Sequence, residues 1–165
     1  MPKPLGAFIR ALDANDRVAL PPALVTAYSG ELVMGPGFEH FIRVYTLAQW
    51  EALSEKLDAL DPNSPDDADL LRFHRSLASE AELDKSNRLH LTEVLMNWAG
   101  LDDVHRQTHF YDMGGVMEIW ELGRYREFMT ERTPAIKDLA RRLLVQAPAS
   151  GGDGNGAATP VGDGA

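Results

Sequence analysis

The stretch that decides the fold is Leu12-Asp13-Ala14-Asn15-Asp16-Arg17-Val18-Ala19-Leu20. Its pattern returns 71 positions later as Leu83-Asp84-Lys85-Ser86-Asn87-Arg88-Leu89-His90-Leu91. A second pair of matching segments follows, Val44 to Leu53 and Ile119 to Phe128, which are 75 positions apart. Two landmarks that recur in the same order indicate a duplicated structural unit.

Each copy contains a polar Asp-x-x-x-Arg turn between two short strands. An aspartate side chain commonly accepts hydrogen bonds from backbone N–H groups a residue or two onward, which pins a turn. The residue before each arginine is Asp16 or Asn87, and these types tolerate the left-handed conformation better than other non-glycine residues. The pattern therefore predicts two hairpin corners, each of which holds one arginine, Arg17 or Arg88, in a fixed place.

An arginine held at a hairpin corner has two possible uses. Its planar fork of donors suits phosphate oxygens and guanine edges. Alternatively, Arg17 and Arg88 form salt bridges to Asp13 and Asp84 that only brace the hairpins. Repetition of the polar turn favours the first use, and both hold together if the bracing aspartate aims the arginine.

The bulk composition excludes several classes of protein. The chain has 165 residues, of which 44% are hydrophobic and 25% charged, as in an ordinary soluble domain or two small lobes. Because it has neither an apolar run of about 18 residues nor a signal-peptide apolar region, we expect it to stay inside the cell. Cysteine is absent, which excludes disulfides, thiolate catalysis and cysteine-ligated metal centres.

The formal net charge of −9 argues against nucleic-acid binding, whose footprint is usually basic. Affinity follows the local field at the contact face, however, rather than the total charge. Acidic residues cluster in the middle linker and the C-terminal tail, whereas Arg10, Arg17, Lys85 and Arg88 belong to the turn phrases.

Hydrophobic periodicity and turn residues divide the chain into successive segments. Each unit is predicted to contain a strand, a polar turn, a second strand, a short helix, two further strands and a closing helix. Gly35-Pro36-Gly37 predicts a turn between strands, and Pro134 predicts a kink or restart in the last helix. The expected boundaries are a first half at 5–60, a connecting linker and helix at 61–79, a second half at 80–130, a helical extension at 131–146 and a disordered Gly/Ala-rich tail at 147–165.

These units resemble the paired AbrB-type halves of the MraZ family of bacterial transcriptional regulators. The family carries a Leu-Asp-x-x-Gly-Arg phrase, an aliphatic strand ending in proline and a short helix in each half. Leu12 to Leu24 and Leu83 to Leu101 match these phrases. Trp98-Ala99-Gly100-Leu101 and Glu118-Ile119-Trp120 also resemble family segments, and the resemblance covers roughly residues 5–130.

The resemblance implies an α+β fold, a compact β-barrel built from two tandem swapped-hairpin-type halves with peripheral helices. It implies a ring-like homo-oligomer, in the cytoplasm and associated with the nucleoid, that binds double-stranded DNA at promoter repeats of the division and cell-wall gene cluster. The carried-over motif residues are Asp13, Arg17, Asp84 and Arg88, and the neighbours expected to assist them are Arg10, Asn15, Lys85 and Asn87. No enzymatic activity, cofactor, metal or membrane association is implied.

This sequence departs from the family pattern at the motif glycine, which is Asp16 in one copy and Asn87 in the other. Either residue can adopt the turn at a cost of roughly 1 kcal/mol. Asp16 also places a negative charge beside Arg17, which should weaken a phosphate contact. The second copy has Thr92-Glu93 where the family usually has a proline pair. We therefore expect a weaker first half or a different operator.

Other readings of the sequence remain open to different degrees. An assembly module that keeps the fold but lacks DNA affinity is the main alternative. An enzyme is disfavoured, because no nucleophile motif or phosphate-cradling loop is present. His105 and His109 share a face without an evident third metal ligand, and the acidic linker lacks the glycine and glutamate of a calcium loop.

Overall fold

The computed structural model describes residues 4–145. Its strands are β1 (Ala7–Ala11), β2 (Arg17–Ala19), β3 (Leu32–Pro36), β4 (Ile42–Thr46), β5 (Ser79–Ala81), β6 (Arg88–His90), β7 (Gln107–Asp112) and β8 (Val116–Glu121). Its helices are α1 (Pro22–Val25), α2 (Leu47–Asp58), α3 (Pro65–Leu77), α4 (Glu93–Ala99) and α5 (Leu122–Ala140), followed by a π-helical segment (Arg141–Val145). The expected tail at 147–165 lies outside the described residues.

Local sequence accounts for most helix boundaries. The Thr46 hydroxyl accepts a hydrogen bond from the Gln49 N–H at 3.4 Å, so it caps α2. Pro65 occupies the first turn of α3, where its missing N–H removes no helical hydrogen bond. Gly100 ends α4 in the left-handed conformation at φ 75°, as expected of a helix-terminating glycine.

The described chain forms two compact units, which divide after Met129. The first unit contains all eight strands, α1 to α4 and the beginning of α5. The second contains the rest of α5 and the π-helical segment, in which Arg141 pairs with Asp138 at 3.3 Å. Pro134 lies inside α5, which runs on to Ala140 as one helix, so the expected restart at this proline is wrong.

The strands form an antiparallel six-stranded sheet, in the order β1-β7-β8-β4-β3-β5, and a two-stranded sheet of β2 and β6. The α+β class is confirmed. The closed barrel is not, because no pairing within residues 4–145 joins β1 to β5 and the main sheet is open. The reason is that β5 is only three residues long and the chain then enters the second turn, whose strand β6 pairs with β2.

Four strand pairings connect the two expected halves, whereas β3 with β4 and β7 with β8 pair within one half. β1 pairs with β7, β2 with β6, β3 with β5 and β4 with β8. Val18 lies opposite Leu89, 71 positions on, and Arg43 lies opposite Glu118, 75 positions on. These are the same intervals that separate the repeated segments in sequence. The register is therefore the one that a duplicated unit requires, although the tandem halves and their boundaries stay predictions.

The main hydrophobic core lies where the two sheets and the short helices meet. Val18 and Leu89 are fully buried at its centre, as are Leu24, Leu95, Phe110 and Ile119. Trp120 is also buried, and it stacks on Phe41 with ring centroids 4.7 Å apart.

One predicted turn is misplaced. Gly35 and Pro36 continue β3 and pair with Arg43 and Ile42, so the connection to β4 begins only at Gly37. Gly37 itself lies against the Phe41 ring, since a Cβ there would come within 2.1 Å of it. Any side chain at this position would require the Phe41 ring to move, and the reversal follows it.

Candidate nucleic-acid interface

The first polar turn is pinned by the Asp13 carboxylate. Its Oδ1 accepts hydrogen bonds from the backbone N–H groups of Asn15 at 2.9 Å and Arg17 at 3.0 Å. The Asp16 N–H donates to the Asp13 carbonyl at 3.1 Å, and Asp16 adopts φ 59°. The predicted left-handed corner is therefore present.

The second turn has the same construction. Asp84 Oδ1 accepts from the N–H groups of Ser86 at 2.9 Å and Arg88 at 3.0 Å. Asn87 adopts φ 57°, and its N–H donates to the Asp84 carbonyl at 2.9 Å. Asp16 and Asn87 are the non-glycine residues with positive φ within residues 4–145, so the prediction is confirmed at both corners.

Backbone hydrogen bonds interlock the two turns. The Leu20 N–H donates to the carbonyl of Asn87 at 3.0 Å, and the Leu91 N–H donates to the carbonyl of Asp16 at 2.9 Å. Each corner residue thus receives a bond from the strand that follows the other corner. With β2 paired to β6, this exchange brings Arg17 and Arg88 to one place on the surface.

Two arginines and two aspartates share one ion cluster there. Arg17 lies 3.3 Å from both Asp13 and Asp84, through Nε and Nη1 respectively. Arg88 lies 2.9 Å from Asp84 through Nε and 3.3 Å from Asp13 through Nη1. The bracing salt bridge is therefore present in each turn and also extends across the pair. The whole side chains of Arg17 and Arg88 are still 26% and 33% exposed, respectively.

The cluster leaves hydrogen-bonding capacity for a ligand. Within residues 4–145, the Nη2 group of neither Arg17 nor Arg88 has a protein partner. The Asp13 Oδ2 and Asp84 Oδ2 atoms hold the other guanidinium nitrogens in place. A guanidinium whose Nε and Nη1 are held by carboxylates can still donate through Nη2 to a phosphate oxygen or a guanine edge.

The carboxylates of the cluster are held in their charged form. The backbone N–H of Arg17 lowers the pKa of Asp13 below its ordinary value, and the nearby guanidinium groups act in the same direction. The backbone N–H of Arg88 likewise lowers the pKa of Asp84. Both aspartates therefore stay ionised at neutral pH and keep the arginines oriented.

Of the remaining predicted site residues, Asn15, Lys85 and Asn87 are exposed in the turns beside the cluster. Arg10 is also exposed, but it lies in β1 and its Nη1 donates to the Ile9 carbonyl at 2.9 Å. The turns border a shallow depression that is lined by Ala14, Asn15, Asp16, Arg17, Glu82, Asp84, Arg88 and His90.

Sequence reasoning missed Arg106, which contacts the first turn from the segment before β7. Its Nη2 donates to the Asp13 carbonyl at 2.6 Å and to Asp16 Oδ1 at 2.8 Å. The charge of Asp16 is therefore directed to Arg106 rather than left beside Arg17. No local signal reveals this contact, because Arg106 and Asp16 are 90 positions apart.

The formal charges around the turns cancel. Two of the acidic groups are the cluster aspartates, and the others are Asp16 and Glu82. The basic groups are Arg17, Lys85, Arg88 and Arg106. The site is thus close to neutral in a chain whose net charge is −9. It is not the strongly positive patch that a purely electrostatic DNA-binding surface shows.

The fold and the site define an α+β protein whose two interlocked hairpin turns present a shared aspartate–arginine cluster. Comparisons with known proteins show which family has this sequence. A family model described as "MraZ protein, putative antitoxin-like" matches residues 5–73. Together with a relative that is 30% identical over 84% of this chain, this match shows that the chain belongs to the MraZ family.

Two relatives support this membership over most of the chain. Transcriptional regulator MraZ of Lactiplantibacillus plantarum is 30% identical over 139 residues, which cover 84% of this chain and 96% of the relative. Transcriptional regulator MraZ of Desulfitobacterium hafniense (strain Y51) is 28% identical over 140 residues, which cover 85% and 96%. Both names describe regulators of transcription.

Two further observations concern other site types. Within residues 4–145, no helix has the length and apolar character needed to cross a membrane, and no three metal-binding side chains converge. His105 bonds to Asp102 at 3.0 Å in the segment before β7, whereas the His109 ring stacks on Tyr125 with centroids 3.7 Å apart. The two histidines therefore have different partners.

Proposed function

We propose that this chain is a DNA-binding transcriptional regulator of the division and cell-wall gene cluster. It acts in the cytoplasm, on the nucleoid, and binds repeated operator elements as a ring-like homo-oligomer. The observation that carries the proposal is the shared cluster: Arg17 and Arg88 converge from two corners, are aimed by Asp13 and Asp84, and have partly exposed side chains. The names of the relatives support the same role.

The neutral charge balance makes each cluster a weak anion site on its own. Two oriented forks supply directional hydrogen bonds, but the surrounding field attracts DNA little. Linking several such sites raises the overall affinity by orders of magnitude without any new contact. Such a weak site is sufficient for DNA binding when an oligomer brings several copies of it to repeated operator elements.

The sheet edges support self-association. β1 and β5 are the two ends of the main sheet, and strand directions alternate across all six strands. The β1 strand of one copy can therefore extend the sheet antiparallel to the β5 strand of the next. Arg10 on β1 and Glu80 on β5 are exposed and opposite in charge. Because the two edges differ, the contact is head-to-tail, and a closed ring removes both free edges.

DNA binding is tested by fluorescence anisotropy with a duplex from upstream of the division and cell-wall genes, at about 50 mM salt and in a salt series. The wild-type chain should prefer this duplex over a scrambled one, with affinity falling as salt rises. Arg17→Ala with Arg88→Ala should lower the affinity about a hundredfold if each guanidinium contributes about 1.4 kcal/mol. Arg17→Lys with Arg88→Lys keeps the charges and should bind at an intermediate level.

The matched control is Arg72→Ala with Arg75→Ala, which removes two exposed arginines of α3 that pair with Asp69 and Asp58. This variant should bind as the wild type does. Thermal unfolding and molar mass are measured for every variant, so that misfolding is separated from loss of contact. If the wild type shows no preference for the duplex from upstream of the division and cell-wall genes at low salt, the proposal is wrong.

A second candidate is an oligomeric protein-interaction module that keeps the fold without binding DNA. The neutral cluster within an acidic chain favours it. The two candidates are separated by combining the anisotropy data with the molar mass of the oligomer, which light scattering measures. Arg10→Glu should lower the molar mass, and adding Glu80→Arg should restore it. Assembly without DNA preference supports the module.

A further inference from the structure

Arg106 contacts the first turn at three points. Its carbonyl accepts a hydrogen bond from the Leu12 N–H at 2.8 Å. Its Nη2 donates to the Asp13 carbonyl at 2.6 Å and to Asp16 Oδ1 at 2.8 Å. One guanidinium therefore ties the start of the turn to its left-handed residue.

The second turn lacks such a brace among the described residues. Its left-handed residue is the uncharged Asn87, and residues 18–42, which include the approach to β3, contain no lysine or arginine. Within residues 4–145, an arginine from a distant segment therefore contacts only the left-handed residue that carries a charge, Asp16. Both corners are electrically neutral as a result, one through an ion pair and the other through an amide.

We infer that Arg106 is a positioning residue for Arg17, which it serves by neutralising Asp16 and holding the backbone of the first turn. Without Arg106, the Asp16 carboxylate would lie unpaired next to Arg17. It would then compete for that guanidinium and repel an approaching phosphate. The pairing lets the first corner function although it carries an acid at the position before its arginine.

The geometry argues against direct DNA contact by Arg106. Its Nη2 already makes two hydrogen bonds, whereas no protein partner is found for Nη2 of Arg17 or Arg88 within residues 4–145. Its Nη1 is directed to the Asp102 carbonyl at 3.4 Å and lies 3.9 Å from Asp103. Arg106 therefore acts through Asp16, whose own side chain is 42% exposed.

The inference rests on the proposed function for its DNA readout, so the experiment includes a readout without DNA. Three variants of the full chain are compared with the wild type: Arg106→Ala, Asp16→Asn, and the two combined. Asp16→Asn makes the first corner like the second. Asn87→Asp is the matched control, because it adds an unbraced carboxylate to the second corner.

Arg106→Ala should weaken binding to the duplex from upstream of the division and cell-wall genes about tenfold. This is the effect of losing one phosphate contact. Asp16→Asn should restore most of that loss in the combined variant, and Asn87→Asp should weaken binding as Arg106→Ala does. If the combined variant binds as poorly as Arg106→Ala, Arg106 touches DNA itself and the inference is overturned. It is also overturned if Arg106→Ala binds like the wild type.

The DNA-free readout is the side-chain Nε–H signal of Arg17 in NMR spectra. It should move in Arg106→Ala and return towards its wild-type position in the combined variant. A signal that stays in place in Arg106→Ala refutes the positioning role whether or not the protein binds DNA. A wild type that fails to bind DNA, with this signal responding as expected, refutes the proposed function alone.

Discussion

Arg17 of the first turn lies 3.3 Å from Asp84 of the second, 67 positions further along the chain. The reciprocal pair of Arg88 and Asp13 is also 3.3 Å apart, across 75 positions of the chain. The two corners therefore share one network of charges instead of holding two independent salt bridges. A change at either aspartate is felt by both arginines.

The first prediction concerns pH. The pKa values of Asp13 and Asp84 are lowered in the folded state, chiefly by backbone N–H groups of Arg17 and Arg88. A lowered folded-state pKa gives stability that is complete above the unfolded value, about 4, and is lost as pH falls through the folded value. The melting temperature should therefore drop steeply below about pH 4.

Asp13→Asn with Asp84→Asn should melt at a lower temperature than the wild type at neutral pH, and the difference should shrink on acidification. Differential scanning calorimetry across the acid range measures both curves. The pKa of Asp102 is also lowered, to about 2. Because Asp102 is present in both proteins, its contribution to the pH dependence cancels when the two melting temperatures are compared. A constant gap between the two curves contradicts this account.

The second prediction concerns the left-handed corner at Asn87, where φ is 57°. Asn87→Ala should reduce the free energy of unfolding by about 1 kcal/mol, since alanine lacks the local hydrogen bonding that helps asparagine adopt this conformation. Asn87→Gly should be close to neutral. Urea unfolding measures both, with the exposed neighbour Lys85→Ala as control, expected within about 0.5 kcal/mol of wild type.

The third prediction concerns the pairing of Val18 with Leu89 beneath the cluster, where both side chains are fully buried. Leu89→Ala should cost about 2–5 kcal/mol, because it removes buried methyl groups and leaves a cavity. Val94→Ala, at a position 51% exposed in α4, is the comparison and should change stability by at most about 0.5 kcal/mol. Similar losses for the two variants would show that Leu89 is not at the core.

The fourth prediction concerns His109, whose ring nitrogens are both buried and lack a hydrogen-bond partner within residues 4–145. Burial lowers its pKa, and the positive charge of Arg126 adds to the effect; Tyr111 and Tyr125 pack against the ring. The neutral form favours folding, so stability falls as pH drops below the unfolded histidine value of about 6.5.

His109→Phe preserves the ring stacking with Tyr125 and removes the titrating group. It should raise the melting temperature at about pH 5 and flatten its dependence between about pH 7.5 and 5. His74, whose pKa is also lowered by burial, remains in both proteins and accounts for the residual slope. An unchanged slope in His109→Phe assigns the titration to other groups.

The features predicted correctly from the sequence are those set by neighbours in the chain. Asp13 pins its turn through bonds to Asn15 and Arg17, which are two and four positions away. The same holds for the left-handed corners at Asp16 and Asn87. The 71-residue repeat also matched the register of β2 and β6, because a duplicated unit pairs symmetrically.

The features that sequence reasoning missed depend on contacts between distant segments. The open edge at β5 follows from where the chain goes after Ala81, and periodicity carries no information about it. The cross-corner pairs join residues 67 and 75 positions apart, and Arg106 meets Asp16 across 90. Charge pairing of this kind is set by tertiary geometry and leaves no local pattern.

The pairing of β1 with β7 has a consequence during synthesis. Ala7 is matched to Tyr111, so β1 must wait for about 100 further residues before its partner exists. At translation speeds of about 5–20 residues per second, that delay is roughly 5–20 seconds. The apolar side chains of Phe8 and Ile9 emerge from the ribosome without a strand to pair with during this interval, which makes the nascent chain a natural client for chaperones.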